Sequence, residues 1–331
     1  MTWVVWRLYR TPVIVAAAAL AVFAVLLLIT GLQVASEYHN ALQTCTATRN
    51  CGDLQSVLNL GGSPGNIFVS LSVAVPALLG LFWGAPMVAR EIESGTSQFA
   101  WVQSVTRTRW LAAKTGWLVL AAAVWGGAVA ALVTWWSGPE NAVSVDRFNL
   151  NVFDVQGIVP VAYAIFAVAL GIAAGTIVRR ALPALAITLG VFVAVRIVIA
   201  NYLRPHYLGA LTLTQGIGGT LTPRGAYWQL TTSLITASGA AVPPQSSGGS
   251  IGFGNVSMPF SALPAACRAL VGSGQPQRVI SCLSARGYRQ HMTYQPASHY
   301  WPFQFIETGI FLALAAALIA VAFAILRRRD A

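Results

Sequence analysis

Residues 90–114 read REIESGTSQFAWVQSVTRTRWLAAK, a charged and amphipathic island between two long apolar runs, 67–87 and 117–136. Those flanking runs decide the fold class. A helix needs roughly 20 apolar residues to cross a hydrocarbon core, and four further runs reach that length: 12–32, 157–178, 182–203 and 303–326. Charged residues make up 9% of the chain and hydrophobic ones 56%, whereas soluble domains carry about 25% charged residues. Backbone polar groups in lipid are most simply satisfied inside a helix. The expectation is therefore an all-α membrane protein with six transmembrane helices.

Basic residues orient the spans, because short cytoplasmic loops carry the excess of Lys and Arg. With the N-terminus inside, one side holds Arg7 and Arg10, then Arg90, Arg107, Arg109 and Lys114, then Arg179 and Arg180, then Arg327, Arg328 and Arg329. The two short loops on the other side hold only Arg49 and Arg147. Both termini are thus expected in the cytoplasm of a plasma-membrane protein. The run 12–32 exceeds the 7–15 residues of a secretory signal's apolar region, which favours a retained helix. Net charge is +11, yet the charges are spread along span ends, a pattern of topology and lipid contact rather than of nucleic-acid binding.

Residues 1–203 are expected to hold five spans, an interfacial helix over 1–11 and a cytoplasmic loop over 88–116. Residues 204–302 would form a large extracellular segment, and 303–331 the sixth span with a basic tail. The extracellular segment is rich in Gly, Ser, Thr and Pro, too thin in apolar residues to promise an independent domain, and its middle, 237–255, reads as a flexible connection. Tyr288, Tyr294, Tyr300 and Trp301 would sit at the headgroup level. Pro76, Pro86, Gly80 and Gly84 predict a kink or close helix packing in the second span, and Arg179, Arg180 and Pro183 a tight hairpin between the fourth and fifth.

All four cysteines fall in segments placed outside, so two local disulfides are expected, Cys45 with Cys51 and Cys267 with Cys282. No CxxC or HxxxH spacing supports a metal site. The chain has no HExxH, GxGxxG or Walker lysine loop, so no enzyme activity is expected of it. Two charges interrupt the spans, Arg196 and Glu307. By helical rise they differ in depth by only roughly 5 Å, which makes a buried pair feasible, with a packing salt bridge, a gating role and separate snorkelling as its three readings.

Within residues 90–114, Ser94, Gly95 and Thr96 break the helix that continues the second span, and Thr96 can cap a new one. Phe99, Val102 and Val105 recur on one helical face. Periodicity alone leaves an inert interfacial helix and a docking helix equally open.

The order Arg90-Glu91, Gly95-Thr96, Ser104-Val105-Thr106-Arg107 and Lys114 resembles the loop after the second span in ABC transporter permeases of the type-2 exporter class. The tract 87–117 is similar to actinobacterial members. So are Thr293-Tyr294-Gln295-Pro296, Trp301-Pro302-Phe303-Gln304 and Ile306-Glu307-Thr308-Gly309 near the end of the chain. The resemblance implies a permease subunit that dimerises with a second permease copy or homologue and engages a separate nucleotide-binding subunit, which alone would hold ATP and Mg. Residues 90–114 would be the coupling element, with Arg90, Glu91, Glu93, Gly95, Thr96, Phe99, Val102, Arg107 and Lys114 as its site residues and Glu91 and Glu93 facing the partner. The exported compound would be hydrophobic or amphipathic. A membrane sensor or immunity protein that binds a toxic compound without moving it is the alternative.

Overall fold

The computed structural model describes residues 2–48, 64–93, 106–143, 147–148, 150–219, 221–223, 225–242, 250–253, 256–271 and 275–328. The chain divides into a membrane unit, formed by Met1–Ser144, Asn149–Arg204 and Trp301–Ala331, and a sheet unit, formed by Val145–Phe148 and Pro205–Tyr300.

In the membrane unit, helix α1 (Thr2–Thr48) contains the first apolar run. Its 47 residues extend about 70 Å at 1.5 Å per residue, so the helix continues well beyond a hydrocarbon core of about 30 Å. Residues 2–11 continue into the span without a break. The second run is broken into α2 (Pro64–Ser72), α3 (Val75–Leu79), a π-helical turn (Gly80–Gly84) and α4 (Ala85–Glu93). Pro76, without an N–H, sits in the first turn of α3, where a missing donor is tolerated. Helix α5 (Arg107–Trp136) holds the third run, α6 (Val159–Val178) the fourth, and α7 (Ala181–Val198) the fifth. The fifth continues through a second π turn (Ile199–Leu203) and a 3-10 turn (Arg204–His206). Among the described residues five helices are long and apolar enough to cross a membrane; the expected sixth span is the broken one, whose pieces are each too short to qualify alone.

Helix α6 is the centre of the unit, buried along most of its length. Its small residues let the broken second span approach to backbone contact. A Cβ on Gly171 would lie 2.6 Å from the Ala85 nitrogen and 2.7 Å from the Gly80 oxygen, and one on Gly80 would lie 2.6 Å from the Ala167 oxygen. Lipid offers helices no hydrophobic reason to associate, so close packing of small residues supplies the attraction. The glycines that predicted close packing in the second span, Gly80 and Gly84, therefore meet Ala167, Val168 and Gly171 on α6. Helix α1 is tied to α5 by the Trp136 indole N–H, which donates to the Thr30 hydroxyl at 3.0 Å.

The chain is mostly helical, with a sheet unit that the all-α expectation did not foresee. Strand β5 (Arg289–Pro296) pairs antiparallel with β1 (Leu211–Gly216) on one side and β2 (Tyr227–Ile235) on the other, and β3 (Ser250–Phe253) with β4 (Val256–Pro259) forms a hairpin. β2 (YWQLTTSLI) is rich in the β-branched and aromatic residues that fit a pleated surface. Leu234, Phe253, Met258, Leu263 and Leu283 close a small core around Cys267, which is bonded to Cys282 of helix α8 (Pro276–Ala285). Apolar content alone underestimated this core, because the crosslink limits the unfolded chain's freedom and so reduces the burial needed. β3 also falls within the stretch expected to be a flexible connection. Cys51 lies outside the described residues; among the described cysteines none is free. Of the expected headgroup aromatics, Tyr300 is buried, Tyr294 packs edge-on against Tyr227 and Tyr288 packs on the sheet-unit core, while Trp301 is exposed. Helix α9 (Tyr300–Arg328) ends the described chain.

Candidate functional site

The turn before α6 begins at Phe153 and Asp154. Gly157 adopts φ +72° there, and a Cβ at that position would strike the Gln304 side-chain oxygen at 2.7 Å. Gln304 of α9 holds the turn with both ends of its amide. Its oxygen accepts from the Ile158 and Val159 N–H groups at 3.1 and 3.0 Å, and its nitrogen donates to the Phe153 and Gln156 carbonyls at 3.1 and 3.3 Å. The first two are donors that the opening turn of α6 leaves without helical acceptors. Thr134 of α5 accepts from Gly157 N–H at 3.2 Å.

So positioned, Asp154 is fully buried and takes one arginine on each oxygen: Arg196 Nη2 at 2.5 Å on Oδ2 and Arg204 Nη2 at 2.6 Å on Oδ1. Arg204 also grips Glu307, Nε to Oε2 at 2.9 Å and Nη2 to Oε1 at 2.7 Å. Glu307 lies three residues after Gln304, on the same face of α9. Tyr163 joins both acids, its hydroxyl lying 3.1 Å from Asp154 Oδ1 and in short contact with Glu307 Oε1 while accepting from Arg204 at 3.2 Å. The Arg196 guanidinium lies over the Tyr163 ring at 3.9 Å and that of Arg204 over Phe153 at 4.3 Å. Two arginines and two carboxylates leave the cluster neutral, which is the condition for charge in an apolar interior.

Arg196 and Glu307 are therefore each ion-paired, but with Asp154 and Arg204 as partners. Neither partner was foreseen. Asp154 reads as part of a loop between apolar runs, and Arg204 stands one residue past the end of its run. Their convergence depends on helical phase. Eight residues of α-helix turn the chain by about 800°, leaving the second side chain about 80° from the first. The π turn absorbs one extra residue, as the Arg204 N–H donating to the Ile199 carbonyl shows. The phase then becomes that of about seven residues, within about 20° of a whole number of turns, so both arginines face Asp154.

At the other predicted site, Lys114 of α5 pairs with Glu91 of α4 and lies over the Trp110 ring at 4.3 Å. Glu93 accepts from the Ala181 N–H at 3.0 Å, capping the first turn of α7. Thr106 caps α5 by accepting from Arg109 N–H at 3.3 Å, Arg107 opens that helix, and Arg90 is exposed. Gly95, Thr96, Phe99 and Val102 lie outside the described residues. Among the described residues no group of three His, Cys, Asp or Glu side chains converges as a metal site. The sheet unit has an open groove of about 730 Å³ lined in part by His206, Leu208, Trp228, Leu230 and Thr231.

A family model described as ABC-2 membrane transporter related matches residues 17–204. The chain belongs to that family. No curated protein and no solved structure matches it. As an ABC-2-related chain it is a multi-pass membrane protein and a component of a transporter, from a family of generally non-enzymatic membrane subunits that normally works with an ATPase partner. The match takes in Asp154, Tyr163, Arg196 and Arg204 together with the Glu91 and Lys114 pair. Glu307, which completes the cluster, lies beyond it.

Proposed function

We propose that this chain is the six-span membrane subunit of an ATP-driven exporter, with both termini in the cytoplasm and residues 205–300 outside. It would work as a dimer with a second permease, engage a separate subunit that binds ATP and Mg, and carry a hydrophobic or amphipathic compound by alternating access. The observation that carries the reading is the family match across residues 17–204, which encloses the whole 90–114 segment. Local geometry supports it. The Glu91 and Lys114 pair clamps the helices at the two ends of that segment, and Glu93 ties α4 to the start of α7. A push on the segment would pass into α4, α5 and α7 together. In this arrangement Glu91 acts through Lys114, while Glu93 acts by capping α7.

The test is expression together with the neighbouring genes, followed by gentle detergent purification and an ATPase assay. Glu91→Lys is expected to lose stimulation, and Glu91→Lys with Lys114→Glu to recover it. Recovery of the intact chain with no ATPase subunit would overturn the export reading and favour a binding protein without transport.

A further inference from the structure

Arg204 reaches its partners only because one extra residue is wound into the π turn. Arg196, Asp154 and Tyr163 all lie before that turn in the chain, so their contacts with one another do not depend on it. Arg204 and its grip on Glu307 do. From within the turn, the Asn201 side-chain amide donates back to the Ile197 carbonyl at 2.9 Å, supplying a donor where the backbone pattern changes register.

We propose that the Ile199–Leu203 turn is a register switch that makes and breaks the cluster. Rewinding it to α-helix exchanges each five-residue bond for a four-residue one, so backbone bonding is kept. The rotation is what changes. Arg204 swings by about 100°, the angle of one residue, away from Asp154 and Glu307. The link from α7 to α9 opens, while Arg196 stays on Asp154 and keeps α7 joined to the start of α6. The charge cluster holds the wound register by giving Arg204 four acceptor contacts, to Glu307 twice, Asp154 and Tyr163. Anything that weakens those contacts shifts the population toward the rewound helix. On the transport reading this is how α7 parts from α9 at one end of the spans, and the proposal rests on that reading for its purpose. The switch itself is a property of this chain alone.

The test therefore uses the full chain in lipid nanodiscs with no ATPase. Spin labels go on Leu203→Cys, at the end of the turn, and Val124→Cys on α5, both positions being exposed. Rotation of about 100° moves a Cβ by roughly 5 Å on a helix of this radius. Glu307→Gln is expected to add a second distance, shifted by about that much, to the distribution of the parent chain. Deleting Ala200 removes the extra residue, leaving an α-helix that already aligns Arg204. In the Glu307→Gln background this deletion is expected to abolish the second distance. Asn201→Leu, an exposed position that leaves the cluster untouched, is expected to populate the same second distance more weakly, and serves if Glu307→Gln does not fold. A distribution in Glu307→Gln or Asn201→Leu identical to that of the parent overturns the switch, as does a second distance that survives the Ala200 deletion. Failure of an ATPase to copurify would sink the export reading without altering any of these distances.

Discussion

Removing Arg204 alone should cost far more than removing Arg204 and Glu307 together. Arg204→Met leaves two buried carboxylates facing Arg196, and Glu307→Met leaves two buried arginines facing Asp154. Each single change strands a net charge among side chains no more than 11% exposed. Breaking a buried pair in this way costs about 3–5 kcal/mol, whereas replacing both partners by apolar groups of similar size is often neutral. The double variant keeps Asp154 paired with Arg196 and restores neutrality, so its cost should be about 2 kcal/mol or less. A coupling energy on the order of 3 kcal/mol or more follows. Arg204→Lys keeps the charge but loses the two-pronged grip on Glu307, and should fall between the parent and Arg204→Met.

The assay is reversible unfolding in mixed micelles by titration with SDS, followed by tryptophan fluorescence. Reasoning from neutrality would be refuted by additivity: a double variant whose cost equals the two single costs within about 0.5 kcal/mol. That result would mean the four charges act as independent hydrogen-bonding groups and not as a balanced unit.

Gly171→Ala should destabilise the membrane unit by about 1–3 kcal/mol, since its Cβ meets only backbone atoms and the helices have to part; Gly190→Ala, which meets open space, should be neutral or stabilising in the same SDS titration. Replacing Cys267 and Cys282 by Ala opens a crosslink of sequence separation 15, a loop length worth about 3 kcal/mol, and trypsin should then cut within residues 205–300 at temperatures the parent survives. Burial pushes the Glu140 carboxyl up, so the folded chain binds its proton more tightly than the unfolded one, and this stabilisation is lost as pH rises through the raised value. Glu140→Gln should remove that slope, raising the melting temperature at pH 8 relative to the parent while leaving it unchanged at pH 4.

The apolar runs were legible because length and composition suffice to mark a span, and five of the six runs lie within long helices. The break in the other was legible too, since Pro76, Gly80 and Gly84 each carry a local backbone consequence. The sheet unit was not. Its strands mix Thr, Gln and Ser with apolar residues, as in β1 (LTLTQG), so alternation is weak, and its core needs contacts between residues as far apart in sequence as Ile217 and Leu283. Glu91 and Lys114 were legible as members of one segment, but their pairing depends on α4 and α5 coming back side by side.

The charge cluster divides along the same line. Arg196 and Glu307 stand out because each interrupts an apolar run, and both join one cluster through Asp154, Arg204 and Tyr163. Rise says nothing of azimuth, which decides the partner. Azimuth along the fifth span is set by the π turn, and no residue type in IANYL announces one. Without the inserted residue Arg204 would point about 80° away from Arg196, and Asp154 could not hold both. One buried acid gripping two arginines eight residues apart is thus a signature of the insertion that simple helical counting hides, and it is why the composition of this site became visible only with its backbone.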